Sequence, residues 1–183
     1  MENTNPPAPA APQYRIDENM VRAKIENYKH EQNLVLGIIG GAIGGLIGAA
    51  AWAAITYFTE YQIGWIAIIV GFLVGFGVRT LGKGLDKIYG IIGGVIALGS
   101  VLLGNFLASM GFLAKGLELS FLDTLLGFNY RLTFELLKET FSVIDLVFYG
   151  LAVYAGYRNS FRNITKAQLL EGAVTRQDSG LPG

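Results

Sequence analysis

About 25 consecutive residues without a charge, from Leu34 to Phe58 (LVLGIIGGAIGGLIGAAAWAAITYF), constrain this chain more than anything else in it. Roughly 20 apolar residues suffice to cross the hydrocarbon of a bilayer as a helix. Within the run, glycine recurs at every fourth position on two adjacent stripes, Gly37/Gly41/Gly45 and Gly40/Gly44/Gly48. Residues four apart share one side of a helix, and a missing side chain there lets a second helix backbone come close. The run predicts a membrane span built to be packed against. The small residues of AAAWAA suit a signal-peptidase site, but some 33 mostly polar residues precede the run and it exceeds a signal peptide's apolar core, so a retained span is expected.

Three more apolar runs follow. The second span, about 63–80, carries Gly64, Ala67, Gly71 and Gly75 on one stripe, and the third, about 88–110, carries Gly93, Ala97, Ser100, Gly104 and Ala108. Their matching spacing predicts that spans two and three pack antiparallel along these stripes. The fourth span, about 140–158, continues the phase of a polar stripe, Arg131, Glu135, Lys138, Ser142 and Asp145, which predicts one long helix from Arg131 to Tyr157. Residues 111–139 read as an outer interfacial segment with an amphipathic helix. Residues 1–15 form a Pro/Ala-rich tail expected to be disordered, and 16–33 an amphipathic helix at the membrane face. Residues 159–183 form a polar tail with a possible Thr165–Gln168 capping box and a fraying end. The fold class is thus an all-α polytopic membrane protein with four transmembrane helices plus an interfacial helix.

Composition agrees. Charged residues make up 15% of the chain, against about a quarter in soluble domains. Zero formal net charge offers nothing to nucleic acid. The absence of cysteine excludes disulfides and thiolate chemistry. The turn between spans one and two has no Lys or Arg, and residues 111–139 have three of the chain's 14. All the others fall on the opposite side, so the positive-inside rule places both termini in the cytoplasm.

Several motifs invite a functional reading. Gly77-Val-Arg-Thr-Leu-Gly82-Lys83-Gly84 has phosphate-loop spacing, but Gly84 stands where a Ser or Thr must hold magnesium, and an apolar span precedes it instead of a strand. A flexible turn whose Arg79, Lys83 and Lys87 meet anionic lipid headgroups accounts for the same residues. Asp145 is the strongest candidate for chemistry, since carboxylates within spans are costly and face protein or water. It could bind a proton or cation with Tyr149 one turn on, or simply end the polar stripe paired with Lys138; the second reading is preferred. Asn105 reads as an interhelical hydrogen-bond partner before a filter residue. His30, the single histidine, has no companion to bind metal, and Asn163-Ile-Thr165, though a glycosylation acceptor by pattern, lies on the cytoplasmic side. The glycine stripes serve packing within the chain or contact with a second copy; both remain open.

The block from Gln62 to Phe106 (QIGWIAIIVGFLVGFGVRTLGKGLDKIYGIIGGVIALGSVLLGNF) resembles a glycine-rich two-span hairpin of uncharacterised bacterial multi-span proteins. The resemblance covers about a quarter of the chain and implies a bacterial inner-membrane location, with no activity to carry over. No cofactor is expected. The leading functional expectation is a non-enzymatic structural, assembly or accessory subunit in the bilayer, packed against its own copies or a larger complex. The alternative is an oligomeric pore or small ion or solute transporter using Asp145 and Asn105.

Overall fold

A computed structural model describes residues 13–61, 63–140 and 142–177. The chain divides into two units, one made of its two ends and one running from Glu31 to Arg162.

The terminal unit contains strand β1 (Gln13–Ile16), helix α1 (Glu18–His30), helix α8 (Lys166–Leu170) and strand β2 (Val174–Gln177). β1 and β2 form an antiparallel ribbon in which Tyr14 pairs with Arg176 and Ile16 with Val174. Two corrections follow. Residues 13–15, expected in a disordered tail, are a strand, and so are Arg176 and Gln177 of the segment expected to fray; residues 1–12 and 178–183 lie outside the described residues. The helix expected over 16–33 spans 18–30, and Val21 on its apolar side shares a groove with Leu169 and Leu170 of the chain's own α8. Lys24 Nζ donates to the carbonyls of Gln168 and Glu171 at the end of α8, where a helix leaves carbonyls without partners. The Thr165–Gln168 capping box closes the start of α8.

The other unit is helical throughout: α2 (Leu34–Thr59), α3 (Ile66–Gly82), α4 (Lys87–Gly116), α5 (Phe121–Gly127), a 3₁₀ turn (Tyr130–Leu132), α6 (Thr133–Thr140) and α7 (Val143–Asn159). Two of these, α2 with 26 residues and α4 with 30, are long and apolar enough to cross a membrane. α3 and α7 have 17 residues each, about 25 Å at 1.5 Å per residue. α3 and α4 form the middle of the unit, and α2 and α7 each pack against both.

Local chemistry sets the breaks. Asn33 caps α2, its side chain accepting the Leu36 N–H at 3.0 Å. Glu60 and Lys83 end α2 and α3 in the left-handed region, with φ of 58° and 50°. α4 runs on to Gly116, past the expected end of span three at residue 110, and the amphipathic helix expected from residue 111 shortens to α5. The long helix expected from Arg131 to Tyr157 is broken. Ser142 is extended, with φ −111° and ψ 148°, and starts α7 afresh with a capping box to Asp145. A polar stripe in helical phase did not reveal that Ser142 spends its hydroxyl and backbone on a cap.

Candidate functional site

The glycines fix how the helices meet. A Cβ on Gly40 would overlap the carbonyl oxygen of Gly77, and one on Gly77 would overlap that of Gly40. Gly44 faces the Leu73 carbonyl, Gly48 faces Val70, and Gly37 lies against Gly82 and Tyr89. Gly41 meets Val78, and Gly45 meets Ser100 of α4. α2 and α3 therefore run antiparallel with their backbones almost touching. Both stripes of α2 are occupied within the chain, so neither is left for a second copy.

Spans two and three do not pack stripe to stripe as expected. Gly71 meets the Ala152 carbonyl, Gly75 meets Asn159 and the Gly156 carbonyl, and Gly93 meets Ser160 and the same Gly156 carbonyl. α7 receives both stripes. Gly104 lies instead against Trp52 of α2. The expectation failed because small-residue spacing marks a face that something approaches closely without naming which helix approaches. Gly77, Gly82 and Gly156 were missed as packing positions. Gly82 was read as part of a flexible turn, yet it lies within α3.

The phosphate-loop spacing accordingly has no loop: its first two glycines are helical and packed against α2, and only Lys83 to Asp86 turn. Of the three expected headgroup contacts, Arg79 stands 5.4 Å from the centre of the Phe76 ring. Lys83 Nζ lies 3.4 Å from Glu31 Oε2, and Lys87 is exposed at the start of α4. Arg162 also reaches Glu31 Oε2, at 2.9 Å. These two cations hold the Glu31 carboxyl below its ordinary value of 4.5, Arg162 contributing first. Backbone bonds join the same segments: Asn33 N–H to the Gly82 carbonyl at 3.0 Å, and Arg162 N–H to the Gly84 carbonyl at 2.7 Å. Gln32 Oε1 accepts the Leu85 N–H at 2.7 Å. The start of α2, the α3–α4 turn and the exit of α7 thus meet at one end of the unit. At the other end Lys115 donates to Glu60, holding that carboxyl low.

One turn or two inside the Glu60 end, three helices carry buried or half-buried polar side chains. Trp52 and Thr56 come from α2, Asn105 and Ser109 from α4, and Tyr149 and Asp145 from α7. Asn105 Nδ2 donates to the Tyr149 hydroxyl, so the two candidates on different helices are brought together. Asp145 is buried, and its Oδ2 accepts the Ser142 N–H at 2.8 Å. Among the described residues no ion pair joins it to Lys138, which corrects the preferred sequence reading: the carboxylate caps its own helix. Trp52 Nε1, Thr56 Oγ1 and Asn105 Oδ1 have no partner, although these residues are only 2%, 1% and 6% exposed. Orphaned polar atoms at such depth are rare and call for a reason. One donates only, one accepts only and the hydroxyl does both, so each is a group that a water molecule would satisfy. Trp52 and Thr56 were missed because, in an apolar run, an indole and a hydroxyl one turn apart read as core.

No group of histidine and carboxylate side chains suited to a metal occurs among the described residues, and His30 sits exposed in the last turn of α1. No protein-family model, curated protein or solved structure matches the chain.

Proposed function

We propose that this is a small integral membrane protein acting as a structural, assembly or accessory subunit, with four spans formed by α2, α3, α4 and α7. One observation carries the reading: the usual radial order of side chains is reversed. The buried positions of α2 are mostly glycine, whereas Val35, Ile39, Ile43 and Ile47 stand exposed along its far side. Also exposed are Ile69, Phe72 and Phe76 of α3, Ile91, Val95 and Leu102 of α4, and Ile144, Val147 and Leu151 of α7. Soluble monomers rarely expose more than a few hundred Å² of contiguous apolar surface. In lipid that surface costs nothing, and close backbone contact supplies the association instead.

Two further facts support four crossings. The pairing of β1 with β2 requires both ends of the chain to share one compartment, so the number of crossings between them is even. Glu31, Lys83 and Arg162 meet at one end while Glu60 and Lys115 meet at the other, which alternates all four long helices. The Lys/Arg count favours a cytoplasmic location for the end with Lys83 and Lys87. The resemblance of residues 62–106 to bacterial hairpins favours the inner membrane. Partners are the bilayer and, through the bulky outward faces, a larger complex or other copies.

The chain has no cysteine, so single cysteines can be labelled without background. A membrane-impermeant maleimide applied from outside should modify Tyr61→Cys and spare Lys87→Cys and Lys166→Cys, and inverted vesicles should reverse the pattern. Labelling of Lys87→Cys and Tyr61→Cys from one side would overturn the topology. A photo-crosslinker at Val147 or Leu46 should capture a larger assembly; a chain crosslinked only to lipid would remove the subunit reading. The second reading, passage of an ion or small solute, is favoured by the buried polar atoms of Trp52, Thr56 and Asn105 that lack a partner among the described residues. It requires Asp145→Asn or Asn105→Leu to abolish flux in proteoliposomes with the protein still folded.

A further inference from the structure

The outward positions of α2 from Val35 to Ile47 are bulky apart from Ala42, whereas beyond them Ala50 and Ala54 are exposed and Ala53 is half-buried. Their smallness is not used against a neighbouring helix. They line a cavity of about 410 Å³, faced across the gap by Gly111 and Ala114 of α4. Leu119 and Phe121, in the stretch after α4 where Glu118 takes a φ of 56°, close its end. The volume falls in the range of small-ligand sites, roughly 300–1,000 Å³. A single flexible hydrocarbon chain suits an apolar groove of this volume lined by small side chains.

The mouth of the groove is charged. Lys115, which lines it, donates to Glu60, and the two side chains are 57% and 61% exposed. An ammonium beside a carboxylate, at the limit of an apolar stretch, is complementary to a phosphate beside an amine. A lone lysine would accept any phospholipid, but the adjacent Glu60 offers the amine a partner and disfavours a headgroup with uncompensated negative charge.

We propose that this groove binds one membrane phospholipid of the zwitterionic, primary-amine class, an acyl chain lying against Ala50, Ala53 and Ala54 with its headgroup held by Lys115 and Glu60. The inference rests on the membrane reading above. It assigns the small outward residues of α2 to lipid recognition, where the glycines serve helix packing.

The test uses the full chain in nanodiscs of equal phosphatidylethanolamine and phosphatidylglycerol, with retained lipid identified by native mass spectrometry after release into mild detergent. One phospholipid per chain is expected, with the amine headgroup favoured by about fivefold, the scale of an exposed ion pair. Ala53→Phe should displace it, with Ala54→Leu as the milder variant if the first does not fold, and Leu46→Phe should leave it in place. Glu60→Gln, which keeps the same backbone conformation, should retain a lipid and lose the preference. Preference for phosphatidylglycerol, a lipid indifferent to Ala53→Phe and Ala54→Leu, or no retained lipid would overturn the proposal. So would a groove whose filling releases a second copy or another protein. Failure of the membrane reading would show separately, as protein in the soluble fraction or a cysteine map without sidedness.

Discussion

The two halves of α2 use small residues in opposite ways. From Gly37 to Gly48 the residues without side chains point inward and the branched ones outward, and the helix lies almost backbone to backbone on α3. From Ala49 to Tyr57 the inward positions hold Trp52 and Thr56, and small side chains appear outside. Trp52 lies against Gly104 of α4 with the Ala49 carbonyl also close, and the groove lies beside Ala53. Small residues therefore do not mark an interface by themselves. What matters is whether a backbone, a ring or solvent stands opposite, and that is a property of the neighbour.

The largest test of this contrast lies in the glycine half. Gly40→Leu or Gly77→Leu drives atoms into a carbonyl oxygen with backbone on both sides, so nothing can yield cheaply. Overpacking of ordinary cores costs about 1–3 kcal/mol, and loss of folded, monodisperse protein in thermal scans is expected here. Gly41→Ala should be milder, because the group it meets is the end of the Val78 side chain. Intact folding of Gly40→Leu would erase the distinction between the halves.

Asp145→Ala probes the start of α7. It removes one limb of the capping box of α7 and should lower stability by about 1 kcal/mol, with Asp145→Asn nearer to wild type. A large loss of ion flux in Asp145→Asn at unchanged stability would shift weight to the transport reading. Gly150→Ala carries the opposite sign. A Cβ there meets nothing within 4 Å, so a gain of about 0.5–1 kcal/mol from helix propensity is expected in denaturant or thermal unfolding.

The smallest effect concerns pH at the Glu31 end. The folded carboxyl is held below its ordinary 4.5, so its ties to Arg162 and Lys83 are fully present above that pH and weaken as pH falls through the lower folded value. The small stability difference between wild type and Glu31→Gln in thermal unfolding should be present at neutral pH and shrink below about pH 4.5, since the exposed pair is modest. A flat profile would mean that the backbone bonds Asn33–Gly82 and Arg162–Gly84 hold that end unaided.

The helical class was legible because charge-free runs and four-residue glycine spacing depend only on local periodicity. All six glycines expected on α2 are buried in close contacts, and so are Gly71, Gly75, Gly93 and Gly104. The polar cluster was half legible. Asn105, Tyr149 and Asp145 stand out as polar residues in apolar runs, but Trp52 acquires meaning only when Gly104 of α4 faces it. The terminal ribbon could not be read at all. Gln13–Ile16 and Val174–Gln177 are four residues each, too short for an alternation pattern, and their pairing closes almost the whole length of the chain.

By itself the sequence determined where lipid-compatible helices lie and which of their faces are bare, since both follow from side-chain type and the 3.6-residue turn. Only the tertiary structure decided which bare faces meet, that Gly93 meets the end of α7 while Ser100 and Gly104 of the same stripe meet α2, and that Ala50 and Ala54 of α2 face outward. Pairing between helices is settled by carbonyls and rings brought close from distant segments, and no local spacing records them.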